Sequence, residues 1–379
     1  MVERFIRGLP GVVMGLVMGI GVLAVDSLAQ VRTALIPSLT VSEEFNDNIF
    51  FRERDREADL VTRIIPRIDL FVPRPRTEVS VSFQPGVEFL ARHPEETRQL
   101  QALNFNLFHR VSPLLDISVT DTFSLAPTTF QEVIPELGVV RVERTRVITN
   151  SLSVVAGYRF TPKTSANGIL GYSLSRFQAR RLIDSDALSL RGGVTHRLTP
   201  RTTLNGALRF QNLRFEEGES VSTVSLQLGG SHQITRVWST SASLGITLAE
   251  GELGAFIAAT LTRIFATGSL NFGFDRDITA GGGLLGLITG QRFSIGWNQA
   301  VTRRLSWNAL FSLSTSSPRG REIEFFFVQA GTGLAYLVSR RVTLSASYNF
   351  GFRDRRGPGG EIFDNRLRIT LTITFPPIR

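Results

Sequence analysis

Over the stretch from Arg366 to Phe375, every apolar residue is followed or preceded by a polar one. Leu367, Ile369, Leu371, Ile373 and Phe375 fall on one side of an extended strand, and Arg366, Arg368, Thr370, Thr372 and Thr374 on the other. About ten residues is the length of a tilted strand that crosses a bilayer. The same period recurs upstream. Leu35, Pro37, Leu39 and Val41 alternate with Ile36, Ser38, Thr40 and Ser42. In the next run Leu60, Ile64, Ile68, Leu70 and Val72 oppose Arg63, Arg67 and Asp69. A third places Val79, Val81, Phe83, Val87 and Phe89 opposite Glu78, Ser80, Ser82, Gln84 and Glu88. A strand with one apolar and one polar face, repeated at this length, predicts an all-β, transmembrane, antiparallel up-and-down barrel, with lipid on one face and a lumen on the other.

Tight turns punctuate the pattern. Val111-Ser-Pro-Leu114, Phe160-Thr-Pro-Lys163, Leu198-Thr-Pro-Arg201, Ile234-Thr-Arg-Val237, Val301-Thr-Arg-Arg304 and Val338-Ser-Arg-Arg341 share an apolar residue followed by Ser or Thr. Pro73-Arg-Pro-Arg76 is a further tight turn. Several recur after 36 to 38 residues, the length of a hairpin, and such short turns belong at the periplasmic end. Longer polar connections are expected near 46–58, 92–98, 126–145, 178–186, 215–220, 249–254, 275–288, 315–321 and 354–362. The count is about eighteen strands, with about sixteen the alternative. Over Phe256–Phe265 the two faces do not separate by residue type. Aromatics near strand ends (Phe108, Tyr158, Phe160, Phe177, Trp238, Phe265, Trp297, Trp307, Tyr336, Phe350 and Phe352) fit girdles at the lipid–water boundary. A soluble β-sandwich also alternates, but rarely over strands this long with Ser, Thr, Asn and Gly on the second face.

Residues 1–29 read as a secretory signal peptide, leaving 30–379 as a single barrel. Arg4 and Arg7 precede the apolar run Gly11–Ala24, and Ser27-Leu-Ala29 offers the small residues that signal peptidase inspects. The chain has no Cys, which removes disulfides, thiolate metal sites and thiol nucleophiles together. The net charge of +9 raises nucleic acid as a partner, but Lys163 is the one lysine and the Arg residues are spread singly through strands, so nucleic acid is not expected.

Little else suggests chemistry. His109, His196 and His232 stand just before tight turns, as interfacial side chains would, and His93 lies beside Pro94-Glu95-Glu96. No two His have metal-ligand spacing, no Ser–His or Asp–His constellation stands out, and neither enzymatic activity nor a cofactor is expected. Gly281-Gly-Gly283 and Gly357-Pro-Gly-Gly360 read as flexible turns. Glu43, Glu44, Asn46, Asp47 and Asn48 have oxygen ligands for Ca²⁺ but not the spacing of a calcium loop, and a solvated turn is the plainer reading.

That last segment carries a family resemblance. Pro37-Ser-Leu-Thr-Val-Ser-Glu-Glu-Phe-Asn-Asp-Asn-Ile-Phe50, soon after a signal peptide, resembles the start of the β-barrel porin type 2 family. The resemblance implies an outer-membrane barrel, and some members are associated with exopolysaccharide or capsule export. The closing strand ending on Phe375 likewise resembles the assembly signal of outer-membrane barrels, implying outer-membrane lipid and the barrel assembly machinery as partners. Pro376 and Pro377 depart from it and predict a short tail past the membrane edge.

The polar face gives the candidate site. Its early strands mix Asp69, Glu78, Glu88 and Asp116 with Arg63, Arg67 and Arg110. Later charged positions are almost all Arg: Arg159, Arg191, Arg197, Arg209, Arg292, Arg353, Arg366 and Arg368, with Asp275 at a rim. A wall of one sign selects the opposite ion, which predicts passage of anionic solutes or polysaccharide. The third long connection, with Glu132, Glu136, Arg141, Glu143 and Arg144, resembles the porin loop that narrows a pore. The competing expectation is a structural or receptor barrel, closed by its loops, that anchors surface polysaccharide or a partner.

Overall fold

In the computed structural model the chain forms one closed antiparallel barrel of 18 strands, each hydrogen-bonded to its neighbours in sequence and the last to the first. The structure describes residues 33–128, 144–179, 182–216, 220–280, 287–318, 324–356 and 360–378. The first nine strands are β1 (Ala34–Asn46), β2 (Asp59–Pro73), β3 (Thr77–Leu90), β4 (Arg98–Arg110), β5 (Leu115–Pro127), β6 (Arg146–Arg159), β7 (Thr164–Phe177), β8 (Ser185–Thr199) and β9 (Thr202–Phe215). The rest are β10 (Ser220–Gln233), β11 (Trp238–Ala249), β12 (Glu252–Phe265), β13 (Gly268–Ala280), β14 (Leu287–Ala300), β15 (Leu305–Pro318), β16 (Glu324–Ser339), β17 (Val342–Arg356) and β18 (Ile362–Thr374).

The alternation does what the sequence requires of it. Leu367, Ile369 and Leu371 are exposed on the outside of the barrel, as are Leu60, Ile64 and Ile68 on β2. Their neighbours face inward: Thr40 and Thr372 meet through their hydroxyls at 3.2 Å across the closing seam of β1 and β18. Closure also takes up the tail. Phe375 N–H donates to the Pro37 carbonyl, and Leu35 and Ile378 exchange two backbone bonds. The tail therefore lies along β1 instead of hanging free. Pro376 and Pro377 have no N–H to donate, but the N–H groups on either side of them find partners on β1.

Three expectations need correction. The connection expected at 249–254 is a two-residue turn, with Glu250 and Gly251 at φ 53° and 82°. Two successive positive φ values are what a hairpin turn matching the strand twist needs, and Gly251 takes the larger without a Cβ penalty. Within the connection expected at 275–288, residues 275–280 belong to β13, where Asp275 and Asp277 continue its inner face, and 287–288 belong to β14, while 281–286 lie outside the described residues. Phe108 and Phe177 do not join an outer girdle: their register partners, Glu78 and the buried Val147, face the lumen. Of the other predicted girdle residues, Phe350 and Phe352 are on the outer face toward the long-loop end, and the rest are on the outside at the short-turn end. Phe265 stacks on Trp297 at 6.1 Å, and Trp297 lies 5.7 Å from Trp307. On the same outer face the hydroxyls of Thr77, Thr164 and Thr202 lie 2.8–2.9 Å from Nδ1 of His109, His196 and His232.

One part of the wall departs from a plain cylinder. β13 pairs with β12 only up to Arg276 opposite Ile257, yet stays paired with β14 as far as Ala280 opposite Leu287. Beyond Arg276 it turns into the lumen. Ile278 and Leu287 pack in one buried cluster with Leu213, Phe215, Val221 and Ala249 from β9, β10 and β11. Arg209 Nη1 lies 3.6 Å from Asp277 Oδ2. Around the wall these strands are four spacings apart, about 19 Å at roughly 4.8 Å each, so the tip of β13 crosses the inner face of the strands between.

Candidate functional site in the lumen

The register places Arg63, Arg67, Asp69, Glu78, Glu88, Asp116, Arg159, Arg191, Arg209, Arg292, Arg366 and Arg368 on the inner face. They do not form one wall of a single sign. Two groups among them have different surroundings, and Arg67 pairs with Asp69 apart from both.

The first group lies at the long-loop end of β1, β2, β3 and β18. Arg63 donates through Nε to Glu88 at 2.7 Å and through Nη2 to Glu44 at 3.1 Å. Arg368 donates through Nε to the other Glu44 oxygen at 2.7 Å. Arg144 pairs with the second Glu88 oxygen. Arg366 pairs with Asp364, two residues away on the same face of β18. Arg63, Glu44, Glu88, Arg366 and Asp364 are all buried. Charges withdrawn from water need this mutual pairing to be tolerated at all, so the group is a fixed structural network and not a set of open ion sites.

The stretch Glu44–Phe51 locks the first long loop over that network. The Asn46 side-chain oxygen accepts the Asn48 N–H at 2.8 Å. Asn48 Nδ2 donates to the Arg52 and Phe363 carbonyls at 2.7 and 2.9 Å, and its oxygen accepts the Arg52 N–H at 2.8 Å. Asp47 accepts from the backbone N–H and the side-chain amide of Asn365. Ile49 is 1% exposed, packed with Val61 and Leu90. Phe51, at φ 55°, is buried beneath the Arg353 guanidinium at 5.1 Å. Glu43 turns the other way, outward, and accepts from Thr62 at 2.8 Å. The oxygens that suggested Ca²⁺ thus point in different directions, and no group of three or more His, Asp or Glu able to hold a metal ion exists among the described residues. Beside this latch His93 bridges the first two loops, with Nδ1 2.7 Å from Asp59 and Nε2 2.7 Å from Glu57. These bonds raise the His93 pKa, with Asp59 the larger contributor and Glu57 the second.

The second group lies on β8 and β9, under the tip of β13. Arg191 and Arg209 are direct partners in the ladder, side by side on the inner face. Like charges directly opposite each other are destabilising unless an anion joins them. Arg209 donates to Gln211 at 2.9 Å and has Asp277 at 3.6 Å. Arg191 has no ion-pair partner among the described residues, and its Nε is buried without a hydrogen bond. Arg292 differs again: its ladder partner is Asp275.

The sequence reading misplaced or missed several acids of the inner face, Glu44 among them. Asp275 is within a strand and not at a rim, and Asp277 and Asp364 went unassigned. The signal was present. Asn271, Gly273, Asp275 and Asp277 keep one parity against Phe272 and Phe274, and Asp364 keeps parity with Arg366. Of the third long connection, Glu132, Glu136, Arg141 and Glu143 lie outside the described residues. Arg144 is described, and it belongs to the buried network.

No protein-family model matches the chain, and no curated protein sequence does. Solved structures do. Pseudomonas aeruginosa OpdQ superposes with a TM-score of 0.52 at 10% identity, over 91% of this chain and 98% of that one. Pseudomonas aeruginosa OccK2 (OpdF) gives 0.51 at 12% identity, over 90% and 98%. Acinetobacter baumannii OccAB4 gives 0.51 at 8%, over 92% and 100%. The fold is that of outer-membrane porins. At these identities the likeness concerns the path of the chain and not the residues in the lumen. OccK2 is also known in complex with glucuronate.

Proposed function

We propose that the protein is an outer-membrane channel that passes small anionic solutes. The observation that carries the reading is the pairing of Arg191 with Arg209 on the inner face, two adjacent guanidiniums without a matching pair of acids. A barrel of this strand number is too wide for its own side chains to fill and leaves an aqueous channel. Inside it, low-dielectric walls strengthen the field of fixed charges. The glucuronate complex of OccK2, a protein of the same fold, makes acidic sugars a reasonable first solute to test here. The finer assignment, to the β-barrel porin type 2 family with a part in polysaccharide export, is supported by the Glu44–Phe50 stretch alone. Neighbouring genes for polysaccharide synthesis would favour it.

A second reading, a closed barrel that anchors a surface partner, is favoured by the buried latch of Ile49 and Phe51 at the long-loop end. Single-channel recording in a planar bilayer separates the two. Discrete conductance steps with an anion-selective reversal potential in a salt gradient are the expected result, and a silent, correctly folded barrel would favour the anchor.

A further inference from the structure

The tip of β13 brings an acid to a place in the lumen where two arginines are direct ladder partners. Asp277 is not opposite Arg209 in any ladder. It reaches Arg209 because β13 parts from β12 after Arg276 and crosses the inner faces of β12, β11 and β10. Two apolar anchors, Ile278 and Leu287, hold it there against Leu213, Phe215, Val221 and Ala249. The inner face between carries short side chains such as Ser225, Thr247 and Gly245 beside Gln227 and Phe256.

The contact itself is loose. At 3.6 Å, Arg209 and Asp277 are within ion-pair range but beyond a good hydrogen bond, and both side chains stay partly open to solvent. By contrast the pairs of the mouth network include contacts at 2.7 Å between side chains that are almost fully covered. Arg191, one ladder step from Arg209, keeps its Nε buried without a hydrogen bond. Two arginines that are direct ladder partners can share one carboxylate between them, each through charge-assisted N–H donors.

We propose that Asp277 is a tethered stand-in for the permeant solute. Its carboxylate lies against Arg209, and a passing carboxylate that bridges Arg209 and Arg191 must displace it. The inference rests on the anion-channel reading and deepens it: the solute class is carboxylates, and Asp277 sets how tightly they are held. Asp277 thus acts as an internal competitor, which keeps the arginine pair from retaining every anion that enters.

The test is made on the full-length barrel in planar bilayers, with gluconate as the probe carboxylate and chloride as the reference. Asp277→Asn should lower the gluconate concentration that half-blocks chloride current by about two- to fivefold, the range for removal of one partly exposed ion pair. Asp275→Asn is the control for charge alone, because Asp275 sits in the ladder opposite Arg292. It should change gluconate block less. Arg191→Gln, which leaves Asp277 in place, should weaken the block, and it provides a second reading should Asp277→Asn fail to fold. An anion-selective wild type in which the two Asp variants behave alike, or in which Arg191→Gln leaves the block unchanged, would overturn the role of Asp277 and spare the channel. A cation-selective wild type would overturn both.

Discussion

At the long-loop end, Arg63 reaches Glu44 and Glu88, and Arg368 reaches the second oxygen of Glu44. On β8 and β9, Arg191 and Arg209 face each other with a single acid, Asp277, near the second. The residue type and the face of the barrel are the same in both places. What differs is compensation. Where each guanidinium meets carboxylates at hydrogen-bond distance and water is excluded, arginine is part of the scaffold. Where two guanidiniums adjoin with one loose acid, a positive field is left over for a solute. Counting arginines on the polar face cannot tell these cases apart, and the partners across the ladder can.

The sharpest way to break the comparison is to remove an acid from the first region. Glu88 is fully buried and serves both Arg63 and Arg144. Glu88→Ala leaves two buried cations short of a partner, which should cost about 3–5 kcal/mol. Arg191→Leu, in the second region, should stay within about 0.5 kcal/mol of wild type, because no ion pair is lost. Urea unfolding followed by heat-modifiable mobility on a gel would measure both. A barrel that tolerates Glu88→Ala as well as Arg191→Leu would erase the distinction.

The inner and outer faces on which that distinction depends can be tested on β18. Leu371 faces outward, and Thr372 faces the lumen opposite Thr40. Leu371→Arg should destabilise the folded barrel by about 2–4 kcal/mol, the cost of a lipid-facing Arg near the midplane. Thr372→Arg should be tolerated. Equal damage, read from the folded fraction in lipid vesicles, would mean that the register of the closing seam is wrong.

Selectivity should follow the uncompensated pair. Changing Arg191 and Arg209 together to Glu replaces two positive charges with two negative ones in a region poorly screened by bulk salt. The reversal potential in a salt gradient should move toward cations. Arg292→Glu alone should move it less, since Asp275 already offsets that position. A larger shift from Arg292 than from the pair would reassign the filter to β14.

These differences bear on how far the chain can be read without its structure. Alternation is a local property, so the strands, their inner and outer faces, the short turns and the barrel were legible in residues such as Arg366–Phe375. The 249–254 turn was not, because Glu250 and Gly251 form a two-residue hairpin with no proline or Ser/Thr signature. Pairing is a long-range property. Glu44 finds Arg368 across the closing seam, and Asp277 finds Arg209 across the lumen. No period along the chain contains either contact. The same holds for the segment that suggested Ca²⁺: its oxygens alternate between faces, and Asn48 spends its amide on the backbone of Phe363, a residue of the last strand.

The smallest expected effect concerns the latch. His93 lies between Asp59 and Glu57 with its ring edge-on to Phe50 at 5.0 Å, and Arg52 also pairs with Glu57. Both carboxylates favour the charged imidazolium, so the folded pKa is raised above the ordinary 6.5. The sign follows. A group whose pKa is raised on folding contributes fully below its unfolded value, and the contribution is lost as pH rises through the folded value. The bridge between the first two loops should therefore be intact in mild acid and loosen in mild base, while the Glu44–Arg63–Glu88 network, which contains no histidine, should not follow that change. Amide hydrogen exchange, compared as protection factors at about pH 5.5 and about pH 8.5, should show residues 47–58 and 91–97 losing protection at the higher pH. His93→Gln should remove that dependence without affecting the strands. Loop protection that is the same at both pH values in the unmodified protein would show that Asn48 and Ile49 hold the latch alone, and that the imidazole only fills space beside them.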